Sequence, residues 1–178
     1  MSNSWSLIGF PDTVNEKAAR AVAAGVAVLS IATVATQQRW LLVPLVYGFW
    51  ARLLTGPRLS PLGQLATRIA APRLGPKKPV PGSPKRFAQG IGVVFSSTAA
   101  ILWIGVGSSV AASLVLSALA AAATLEAVAG LCIGCKAFAL LMRAGVLPGS
   151  ACRQCSDLSW MASDSQPVST GKSVPTAV

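Results

Sequence analysis

The chain has 178 residues, of which 53% are hydrophobic and only 11% charged, whereas an ordinary soluble domain carries about 25% charged residues. That surface cannot solvate a globule of normal build, so the sequence predicts an all-α membrane protein with short soluble extensions. The net charge of +10 comes from 15 Lys and Arg against 5 Asp and Glu. Most of the excess sits in one loop, where topology and anionic lipid headgroups account for it, and no nucleic-acid partner is expected. The sequence has no His, which excludes His-ligated metal and His-based acid–base chemistry.

Residues 1–18 read as a polar cytoplasmic lead-in. Pro11-Asp12-Thr13 forms a turn, and Glu16 follows Thr13 by three residues as in a capping box. No secretory pattern precedes the first apolar run, so that run is expected to stay in the mature chain. A membrane domain is predicted over residues 19–145, with spanning helices at 19–37, 40–54, 87–107 and 109–142. Lys17 and Arg20 flank the first helix. Trp40 opens the second, and Trp50 with Arg52 closes it, in keeping with aromatic and basic bilayer rims. Pro44 falls in its first turns, where a missing N–H costs least.

Residues 55–86 form a Pro-rich loop with seven positive residues (Arg58, Arg68, Arg73, Lys77, Lys78, Lys85 and Arg86) and no acid. Within it Ser60-Pro61 can cap an interfacial helix carrying Leu62, Leu65 and Ile69 on one face. The 109–142 segment exceeds the about 20 residues of one simple span, so it either tilts out of the bilayer or breaks near Gly130 and Gly134. Residues 146–178 are Ser-rich and expected to be mostly disordered. The positive-inside rule puts the basic loop and both termini in the cytoplasm. The expected result is two helical hairpins in the inner membrane, open to oligomerisation or to assembly in a membrane complex.

The chemistry-bearing residues cluster near one end of that domain. The four cysteines form two Cys-x-x-Cys pairs, Cys132/Cys135 and Cys152/Cys155. A break at Gly130 would put Cys132 at a helix N-terminus, where unpaired N–H groups and neighbouring Lys136 favour the thiolate. Cys135 could then resolve a mixed disulfide formed at Cys132. Alternatively, all four cysteines could hold zinc, because two Cys-x2-Cys pairs sixteen residues apart match zinc-ribbon spacing. Glu126 is the one acid inside a hydrophobic span. Such a carboxylate either carries a proton, as in a small transporter, or pairs with a base from another helix. On an uninterrupted helix it would point away from Cys135.

Three stretches carry a family resemblance. They are Phe10-Pro11-Asp12-Thr13-Val14-Asn15-Glu16 with Arg20; Leu59-Ser60-Pro61 with Pro72-Arg73-Leu74-Gly75-Pro76 and Arg86-Phe87-Ala88-Gln89; and Gly130-Leu131-Cys132-Ile133-Gly134-Cys135. Together, over roughly residues 8–143, they resemble the DUF4395 family of bacterial, often actinobacterial, integral membrane proteins. The resemblance implies a link with thioredoxin-like or sulfurtransferase partners and favours thiol–disulfide or sulfur-relay exchange at Cys132 and Cys135. Glu126 departs from the Asn that many members carry, and Cys152 and Cys155 lie outside the shared region.

Overall fold

A computed structural model of the chain describes residues 13–76 and 78–146. Those residues are mostly helical, and three of the helices are long and apolar enough to cross a membrane. The expected disorder of the tail, apart from Val146, and the segment before Thr13 lie outside the described residues.

Helix α1 (Glu16–Thr36) is the first membrane-length helix. Its N-cap is Asn15 rather than Thr13, and the Asn15 side chain accepts from the Lys17 N–H at 3.1 Å. The reason is tertiary. Strand β1 (Thr13–Asn15) pairs antiparallel with β2 (Pro79–Pro81), which extends the backbone where the capping box would have closed it. Glu16 turns to Lys78 instead, at 3.1 Å. The entry to α1 is thereby tied to the far end of the basic loop.

After a single 3-10 turn (Arg39–Leu41), helix α2 runs from Leu42 to Thr55. The basic loop then holds α3 (Pro61–Leu65), a π turn (Ala66–Ala70) and α4 (Ala71–Arg73). Ser60 caps α3 by accepting from the Gly63 N–H at 3.2 Å. Leu62 inserts against Gly25 of α1, where an added Cβ would lie only 2.0 Å from the leucine methyl. Leu65 and Ile69 remain exposed, so the expected apolar face is split, with one residue seated on the bundle and two turned outward.

Helix α5 starts at Gly82, five residues before the expected boundary, and runs to Ala100 before continuing as a π turn to Gly105. Pro84 lies in its first turn, where no intrahelical N–H is needed. Helix α6 (Ser109–Ala129) follows a turn at Gly107, and α7 covers Ile133–Arg143. The 109–142 segment is therefore two helices, not one.

Around the bundle, α1 packs chiefly on α6, α2 on α5, and α5 on both α6 and α7. Around an apolar core that also encloses a few hydroxyls, the outer surface is apolar as well, unlike that of a soluble protein. Ser30, Thr33 and Ser96 are fully buried, whereas Val28, Ile31, Val94, Ile101, Val110 and Leu114 are exposed. Small residues allow close helix approach, as where the Phe49 ring fills the space beside Gly92. Apolar side chains on the outside and hydroxyls within suit a lipid environment, where exposing leucine costs nothing.

Candidate functional site

The site forms where α6 stops. Gly130 adopts φ 69°, a left-handed conformation open to glycine at little cost, and its N–H donates to the Glu126 carbonyl at 3.1 Å. Arg20 of α1 secures the same end. Its Nε and Nη2 donate to the Ala127 carbonyl at 3.2 Å, and Nη2 also to that of Val128 at 2.7 Å. A cation on the last carbonyls of a helix complements its dipole.

Two residues beyond the break, Cys132 takes the N-cap position of α7 with extended dihedrals, and Cys135 lies in the first turn. Of the two outcomes that the length of 109–142 left open, the break is the one adopted. Cys132 is 8% exposed and Cys135 is half-buried. Helix α7 is clamped to α5 at this level. A Cβ at Gly134 would lie 2.6 Å from the Ala88 Cβ and 2.7 Å from its Cα, so no side chain fits there. One turn on, the Phe87 and Phe138 rings meet at 5.5 Å between centroids.

The close approach of α5 brings Lys85 to the site, and its Nζ donates to Glu126 Oε1 at 2.5 Å. Their side chains are only 12% and 19% exposed. Glu126 is thus paired with a base from another helix, one of the two roles its position suggested. The break also brings its charge close enough to act on both thiols. Lys136 is exposed, and the cation that acts on the cysteines is Lys85, which the sequence had assigned to the loop.

The two thiols are driven apart in acidity. Hydrogen bonding from the Cys135 side chain holds the Cys132 thiol below its ordinary range, with further help from Lys85 and the Cys135 N–H; burial and Glu126 oppose this. Cys135 is pushed up, first by that same hydrogen bond, then by burial and the charge on Cys132. Of the two, Cys132 is therefore the thiol that gives up its proton first.

Beside this pair lies a cavity of about 280 Å3, lined by Cys132, Glu126, Gln89, Arg52 and Phe49 among others. Arg52, read from sequence as a rim residue, is 5% exposed. Its Nε donates to Gln89 Oε1 at 2.9 Å, its Nη1 to Ser60 Oγ at 3.1 Å, and its guanidinium stands 4.7 Å over the Phe49 ring. Cys132 and Cys135 could supply two ligands of a zinc site. Cys152 and Cys155 lie outside the described residues, among which no group of three or more potential ligands occurs.

Residues 14–143 match the model of a family described as a domain of unknown function, DUF4395. No curated protein and no solved structure matches the chain.

Proposed function

The chain belongs to the DUF4395 family, a domain of unknown function, and we propose that it is a multi-span membrane protein whose Cys132/Cys135 pair performs thiol–disulfide exchange. The fourth crossing is the 3-10 turn and α2 together, Arg39–Thr55, arranged as two hairpins with the basic loop and both termini in the cytoplasm. The partner is a thioredoxin-like or sulfurtransferase protein of that compartment.

The observation that carries this reading is the placement of the pair: Cys132 at the α7 N-cap, Cys135 in the first turn of that helix, and the Lys85–Glu126 ion pair beside them. The Cys132 thiolate attacks one sulfur of a partner disulfide. A Cys132–partner bond forms, the partner S–S bond breaks, and the second partner sulfur leaves as a thiolate. Cys135 then loses its proton to solvent or to that thiolate and attacks Cys132; the Cys132–Cys135 bond forms, the Cys132–partner bond breaks, and the first partner sulfur leaves as a thiolate. The chain ends with a Cys132–Cys135 disulfide and the partner with two reduced sulfurs, a transfer of two electrons. The reverse sequence oxidises the partner. Because Cys132 opens towards the cavity rather than the outer surface, the incoming sulfur approaches through that space.

Trapping tests the reading. With Cys135→Ser the mixed disulfide at Cys132 has no resolving thiol and accumulates in membranes, where it can be isolated under non-reducing conditions. With Cys132→Ser none forms. Accumulation only with Cys132→Ser would exchange the two roles, and accumulation with neither would sink the proposal.

A further inference from the structure

A second cavity, of about 290 Å3, lies on the other side of Arg52, between the start of α1, the end of α2 and the Ser60-capped turn. Its polar lining includes Arg52, Lys85, Asn15, Gln89 and Thr67. We propose that this cavity is a binding site for a phosphate-type oxyanion, borne either by a phospholipid headgroup or by a small soluble phosphate.

Among the described residues, buried Arg52 has no carboxylate as a direct partner. The described residues contain two carboxylates, Glu16 and Glu126. Glu16 is engaged by Lys78 at 3.1 Å and Glu126 by Lys85 at 2.5 Å. Arg52 is 5% exposed, yet both of its hydrogen-bond partners, Gln89 and Ser60, are neutral. A buried charge is normally paired, because desolvation without a counter-charge is unfavourable. Glu126 acts on Arg52 only at a distance, and its direct partner is Lys85. The guanidinium is held in position by Gln89, Ser60 and the Phe49 face, and it lines an open space rather than packed side chains. A planar fork held this way suits the oxygens of an oxyanion. Apolar walls from Val14, Ala18 and Val22 leave room for the organic portion of such a ligand. This site makes no use of the cysteines, and its test is independent of thiol exchange.

The test uses the purified full chain in an uncharged detergent. The unfolding temperature is followed against sodium phosphate, with sodium chloride at equal ionic strength as control. In parallel, the chain is reconstituted in phosphatidylcholine with or without phosphatidylglycerol, and retained lipid is identified by native mass spectrometry. Two variants accompany the wild type: Arg52→Gln removes the charge, and Ala18→Leu fills the cavity without touching a polar group. A phosphate-specific rise in the wild type, weakened about tenfold or more in apparent affinity in both variants, supports the site with a soluble ligand. No phosphate effect but selective retention of phosphatidylglycerol, lost in both variants, supports it with a lipid ligand. If Arg52→Gln does not fold, Ala18→Leu decides alone. Absence of both effects in the wild type, or binding that survives Ala18→Leu, overturns the proposal.

Discussion

Replacing Gly134 by Ala adds one methyl group at the point where α7 meets α5, and the structure sets the size of the disturbance. The new Cβ would stand 2.6 Å from the Ala88 Cβ and 2.7 Å from its Cα. Neither atom belongs to a flexible side chain, so the helices must separate. Ordinary contact begins near 3.4 Å, and the difference, 3.4 minus 2.6, is a displacement of about 0.8 Å. Overpacking of this kind costs about 1–3 kcal/mol. Its greater effect falls on chemistry, because Cys132 and Cys135 sit on α7 while Lys85 sits on α5. Separation from Lys85 reduces the fraction of Cys132 present as thiolate, the form that reacts. We expect Gly134→Ala to slow alkylation of Cys132 by iodoacetamide by up to about tenfold at neutral pH, the change that one pKa unit makes. Gly90→Ala on α5 is the control. Its Cβ meets only a Leu53 methyl at 3.9 Å, so stability and reactivity should hold or rise slightly with the better helix former. Equal behaviour of the two variants would refute the claim that close α5–α7 packing positions the thiols.

Three further outcomes follow from the same geometry. Lys85→Met alone, or Glu126→Leu alone, leaves one buried charge unmatched and should destabilise the protein by about 3 kcal/mol, the low end for a buried pair because both groups retain some exposure. The double variant should recover most of that loss in mixed-micelle denaturation, and an additive double variant would contradict a direct pair. The pH profile of Cys132 alkylation should begin below the ordinary thiol range and move upward in Cys135→Ala, which removes the largest cause of the depression. Because the folded thiol is depressed, its contribution to stability is present above the unfolded thiol pKa and is lost as pH falls through the folded value. An unmoved profile would remove Cys135 as the donor. Arg20→Gln should cost about 1 kcal/mol and speed amide hydrogen exchange at residues 129–132, because the carbonyls of Ala127 and Val128 lose their charged donor.

Some of this site is legible in the sequence and some is not, for reasons that can be named. The excess length of 109–142 and the presence of Gly130 left a tilted span or a break, and glycine at φ 69° provides the break. The Cys-x-x-Cys spacing then puts one thiol at the α7 N-cap and the other in its first turn. Lys85 was hidden because seven basic residues crowd the loop, and nothing local separates the one that joins α5 from those that remain outside. Pro84 is a poor guide there, since it breaks a helix in the interior and opens one in the first turn. Arg52 was hidden by the environment. Near the end of an apolar helix a basic residue suits the headgroup region, and only the approach of Ser60 and Gln89, 8 and 37 residues away in sequence, encloses it. Thr13 illustrates tertiary override. Its spacing to Glu16 matches a capping box, but pairing with residues 79–81 extends that backbone and leaves the cap to Asn15.

The most direct test of the central claim is a joint count of metal and free thiols on the purified full chain, before and after a reductant. Thiol–disulfide exchange predicts no bound zinc and a Cys132–Cys135 pair that cycles between two free thiols and one disulfide, located by peptide mass spectrometry. Stoichiometric zinc that shields the thiols until a chelator is added would contradict it and make the cysteines structural ligands.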